Sequence, residues 1–162
     1  MLIDFYGVAA QLSFVLLGLW WVVVQFRHET LLATPGGRRR AYQVSLFFLL
    51  PGLMSLASLA SERLTFLWQI GFGLAGIIGI VVTAAGMRTD DSTSGPRWAD
   101  IAAIILYGVI TVVAVAPTLP ASLGLDVKGR EVEAIAITLL LFLGTNLVWR
   151  AFVGSRRTEA VD

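Results

Sequence analysis

Apolar and polar positions fall along this chain in long blocks. Five stretches, residues 5–26, 41–61, 64–87, 101–125 and 134–149, hold none of the 23 charged side chains. A helix of about 20 apolar residues crosses the hydrocarbon core of a bilayer. The blocks therefore predict an all-α membrane protein, a bundle of five transmembrane helices over about residues 5–26, 42–61, 64–87, 99–121 and 131–153. The fifth block is short, and reaches spanning length when Val132 enters the interface and Arg150 snorkels. Residues 1–153 are read as one domain and residues 154–162 as a polar cytoplasmic tail.

Breaker residues divide the blocks. The run Thr34-Pro35-Gly36-Gly37 predicts a stop after a first helix that continues to about residue 33. Pro51-Gly52 predicts a kink in the second span, with Ser55, Ser58 and Ser61 supplying hydroxyls to the carbonyls it frees. Glu62 and Arg63 predict a tight turn that pairs the second and third spans as an antiparallel hairpin. The third span carries Gly71, Gly73, Gly76, Gly79 and Gly86, which let neighbouring backbones approach, and so it is expected at the bundle centre. Trp68, Trp98 and Trp149 fall where interfacial tryptophans are expected. Glu131 and Glu133 begin the fifth span, where negative charge complements the helix dipole.

Charge then gives the helices a direction. With five spans, one side receives nine basic residues (Arg27, Arg38, Arg39, Arg40, Arg88, Arg97, Arg150, Arg156 and Arg157) and the other three (Arg63, Lys128 and Arg130). The positive-inside rule places the N-terminus outside and the C-terminus in the cytoplasm. Arg38, Arg39 and Arg40 are positioned to meet anionic lipid headgroups. A hydrophobic content of 57% against 14% charged residues is too apolar for a soluble domain, and points to a multi-pass protein of the cell membrane. The net charge of +1 by itself says nothing about nucleic acid, and no nucleic-acid partner is expected; the absence of cysteine removes disulfides, thiolate metal sites and cysteine catalysis.

Candidate chemistry is sparse. Gly71-Phe72-Gly73-Leu74-Ala75-Gly76 matches a dinucleotide fingerprint letter for letter. That motif needs a strand before it and an exposed turn into a helix, whereas these glycines lie within a charge-free span. His28, the only histidine, is a candidate pH-sensitive group and too isolated for a metal site; no metal or cofactor is expected. Glu29 and Arg150 should reach similar depth at the cytoplasmic face and are a candidate ion pair.

Polar faces recur on four spans. Asp4, Gln11, Gly18 and Gln25 repeat every seven residues on the first, beside Gly7, Phe14, Trp21 and His28. Gln69 and Thr83 share a face of the third, Tyr107 and Thr111 a face of the fourth, and Thr138, Thr145 and Asn146 a face of the fifth. Polar groups facing lipid are unsatisfied, so these nine amide, hydroxyl and phenol residues are expected to form a shared interior or to face another subunit. Every charge sits at or outside a predicted span boundary, which argues against a dedicated ion path. The function expected is that of a small non-enzymatic membrane protein that associates with itself or with another membrane protein. The alternative is a channel or transporter subunit passing a small polar solute or ion along the bundle interior or an oligomer axis.

Overall fold

Helix boundaries follow from local backbone chemistry. The structure, a computed structural model, describes residues 2–61, 65–88, 97–122, 124 and 127–156, without the side chains of residues 30, 65, 88, 97 and 150–156. Its helices are α1 (Leu2–Phe26), α2 (His28–Leu31), α3 (Pro35–Ala60), α4 (Thr65–Arg88), α5 (Arg97–Val115), α6 (Leu119–Ser122) and α7 (Gly129–Arg156), and the described residues contain no strand. Five of them, α1, α3, α4, α5 and α7, are long and apolar enough to cross a membrane. The chain is a small integral membrane protein of multi-pass type.

The first helix stops earlier than the sequence suggests. Arg27 leaves helical geometry at φ −118° and ψ 26°, so α1 ends at Phe26 and α2 is a single turn. The run read as a breaker instead starts the next helix. Thr34 is its N-cap, with Oγ1 accepting from the Gly37 N–H at 3.0 Å, and Pro35 occupies the first turn, where no N–H is needed. Arg38, Arg39 and Arg40 therefore lie within the first turns of α3. At its far end α5 closes at Val115, because Pro117 disfavours helical geometry in the residue before it. α7 opens on one half of a capping box: the Lys128 backbone N–H donates to Glu131 Oε2 at 3.1 Å.

The five spans close a ring in which α1 packs on α3, α3 on α4, α4 on α5, α5 on α7 and α7 on α1. α3 also crosses to α7 and meets α5 through Gln43 and Phe47, so it touches all four other spans. The core is apolar: Phe47, Phe48, Met54, Phe72, Ile110, Ile137 and Leu140 are almost wholly buried. The antiparallel pairing of the second and third spans is present as α3 against α4.

The expected centre of the bundle is corrected. α3 is 61% buried over its apolar window, against 28% for the glycine-rich α4. The glycines of α4 serve two neighbours: a Cβ at Gly71 would lie 2.7 Å from Ala57 on α3, and Gly76 and Gly79 face α5. A Cβ at Gly79 would lie 2.6 Å from the Tyr107 ring, and one at Gly76 would collide with Thr111 Oγ1. Small residues bring two backbones together without making either central.

The serines after Pro51 also behave differently from expectation. Proline leaves the carbonyl four residues earlier, that of Phe47, without its helical partner, and none of the three hydroxyls is bonded to it. Ser61 Oγ donates to the Ser58 carbonyl, and the Ser55 hydroxyl has no partner among the described residues. These serines lie C-terminal to the proline, and the freed carbonyl lies N-terminal to it.

Candidate functional site

The predicted polar residues do not share one interior. Thr83 and Tyr107 are buried, and Gln69, Thr111 and Asn146 are partly exposed. Gln11, Gln25, Thr138 and Thr145 are exposed on the outside of the bundle, which corrects their assignment to a common interior. Several of these groups are satisfied within their own helix. The Thr111, Thr138 and Thr145 hydroxyls donate to the carbonyls of Tyr107, Ala134 and Leu141, and Asn146 Nδ2 donates to that of Phe142. Backbone carbonyls four residues earlier give polar side chains a partner without any contact between helices.

The repeat on α1 is a different matter. Its buried face consists of Tyr6, Ala9, Ala10, Ser13, Trp20 and Val24, and the exposed Asp4, Gln11, Gly18 and Gln25 lie on another. Gln11 is near the middle of the 25-residue helix and has no hydrogen bond among the described residues. A side chain placed on Gly18 would meet nothing within 4 Å.

At the end of the bundle holding the C-termini of α1 and α4, the contacts are specific. Trp20 Nε1 donates to the Ala41 carbonyl at 3.1 Å, and Gln43 Nε2 to Asp100 Oδ1 at 2.9 Å, joining α1, α3 and α5. His28 and Glu29 sit on α2 with largely exposed side chains, Nε2 to Oε1 3.9 Å apart, and His28 Nδ1 is 3.2 Å from the Gln25 carbonyl. The Arg150 side chain, the proposed partner of Glu29, lies outside the described residues.

The most concentrated chemistry lies at the opposite end, hereafter the amino rim, where α1, α4 and α7 start and α3 ends. Glu133 is 0% exposed, which corrects the expectation that every charged residue lies at or beyond a span boundary. Trp68 Nε1 donates to its Oε2 at 2.6 Å, and Oε1 has no partner among the described residues. The Arg130 guanidinium lies over the Trp68 ring, 5.3 Å from the centroid, and its Nη2 donates to Ser61 Oγ at 2.7 Å. The Tyr6 hydroxyl donates to the Arg130 carbonyl at 2.9 Å. Phe72 stacks between the ring systems, with centroids 6.3 Å from Tyr6 and 6.1 Å from Trp68. Four spans are joined by this one group of side chains.

Sequence reading placed Trp68 at the lipid interface, yet it is 5% exposed, whereas Trp98 and Trp149 are 51% and 69% exposed. A signal for Glu133 was present. It stands four, seven and fourteen residues before Ile137, Leu140 and Leu147, on the buried stripe of α7. Compared with family models, curated proteins and solved structures, the chain matches none.

Proposed function

We propose that the protein is a non-enzymatic component of the cell membrane that acts by assembling with a second copy of itself through the outer face of α1. The observation that carries this reading is Gln11, an exposed amide with no partner among the described residues, ten residues into a 25-residue membrane span. Hydrocarbon offers it no hydrogen bond. A carboxamide both donates and accepts, so the same group on a two-fold-related copy is its complement. Gly18 and Gly7 leave room for a second backbone, and the seven-residue repeat keeps the seam facing a partner helix along its length. A solute path through the monomer has less support, because the core is apolar and the polar side chains of α7 are bonded to their own helix.

Energy transfer between donor- and acceptor-labelled protein in liposomes tests the reading. Gln11→Leu with Gln25→Leu removes four amides from a dimer and should weaken association roughly tenfold, from bonds of about 0.6 kcal/mol each. Transfer equal to that of the unaltered protein at every dilution would refute it.

A further inference from the structure

A buried carboxyl group is expected either to hold a cation close by or to carry a proton. Glu133 has a cation within reach and does not hold it. Arg130 is three residues earlier on the same helix, a spacing at which side chains meet. Its guanidinium is instead given to Ser61 Oγ and to the face of Trp68. Among the described residues Glu133 receives one neutral donor, the Trp68 indole, on Oε2, and Oε1 is left over. That is the arrangement of a neutral acid. One more buried oxygen without a partner among the described residues, Ser55 Oγ, lies on α3, which packs against α7.

We propose that Glu133 is a proton-binding site that controls the latch at the amino rim. With a proton on Oε1 the carboxyl group is neutral, and Arg130 remains on Ser61, tying α7 to α3. When a solvent base removes that proton, the carboxylate draws Arg130 away from Ser61 and the tie between α3 and α7 is released. The Tyr6 bond to the Arg130 carbonyl involves the backbone, so α1 stays attached in both states.

The groups facing Glu133 allow this exchange. α1 contributes Tyr6, within electrostatic reach of Glu133 and beside Ser58. α3 contributes only the hydroxyls of Ser55, Ser58 and Ser61, and α4 the non-titrating Trp68. Residues 109–115, the rim half of α5, contain no titratable group, and on α7 the charged neighbours are Arg130 and the capping Glu131. Glu62 and Arg63, in the connection between α3 and α4, lie outside the described residues.

Infrared difference spectra of the purified protein in lipid nanodiscs, recorded from neutral to alkaline pH, test the site directly. A carboxylic-acid carbonyl band should be present at neutral pH, fade as the pH rises and be missing in Glu133→Gln. A spin-label pair at Ala60→Cys and Lys128→Cys, both exposed positions, reads the latch. Its distance distribution should broaden on alkalinisation with Glu133 in place and stay pH-independent with Glu133→Gln. A carboxylate at neutral pH in the unaltered protein, as pairing with Arg63 would give, overturns the proposal. So does a latch that responds to pH equally in Glu133→Gln.

Discussion

The Trp68 indole N–H donates to Glu133 Oε2 at 2.6 Å, joining the start of α4 to the start of α7 at the amino rim. Both side chains are buried, so neither can replace the other with water. Trp68→Phe keeps most of the ring area and removes the donor, leaving both carboxyl oxygens unpartnered. A buried acceptor stripped of its partner costs about 1–3 kcal/mol. Unfolding in detergent should show a loss of that size, and restoring balance with Glu133→Leu in the Trp68→Phe background should recover part of it.

Close approach of α4 to α5 makes a second prediction. Gly79 has no space for a methyl group against the Tyr107 ring, whereas Gly73 on the same helix has nothing within 4 Å. Gly79→Ala should lower thermal stability by about 1–3 kcal/mol through overpacking. Gly73→Ala should leave it unchanged or raise it slightly, since alanine is the better helix former. Equal effects at the two positions would show that the α4–α5 contact is not formed at Gly79.

Much of this architecture could be read from the sequence because charged side chains are excluded from hydrocarbon. The gaps between charges located all five spans, and the glycines of α4 rightly pointed to a close helix contact. What sequence could not give was direction around each helix axis. The seven-residue repeat of α1 looks the same whether it faces in or out, and only the competing stripe of Tyr6, Ser13, Trp20 and Val24 decides it. Glu133 was misread for a related reason. Two carboxylates near a helix start both suit the dipole, but Glu131 caps the first turn while Glu133, two residues on, is turned about 200° round the axis into the core. Glu29 with Arg150 depends on a side chain outside the described residues.

Thr34 provides a local test of the boundary between α2 and α3. Its Oγ1 accepts the Gly37 N–H and fixes the start of the central helix. Thr34→Ala should cost about 1 kcal/mol, and Thr34→Ser should retain most of the stability. If the alanine variant melts with the unaltered protein, the capping bond contributes nothing in the membrane environment.

Gln43 and Asp100 close the other end of the bundle, across α3 and α5, at 2.9 Å. Gln43→Leu removes the donor at a partly buried carboxylate and should cost about 1.5–3 kcal/mol, the range for hydrogen bonds to charged groups. A double-mutant cycle with Asp100→Ala should show coupling between the two positions, and strictly additive losses would mean that the bond carries no net stability.

Disulfide trapping along α1 tests assembly through the Gln11 face most directly, since the chain has no cysteine of its own. Single cysteines would be placed at Gln11, Gly18 and Gln25 on the proposed seam and at Leu12, Leu19 and Phe26, which are also exposed but lie about 100° round the helix. Under oxidation in native membranes, covalent dimers should form at 11, 18 and 25 and not at 12, 19 and 26. Dimers of equal yield in the two sets, or none in either, would contradict the account.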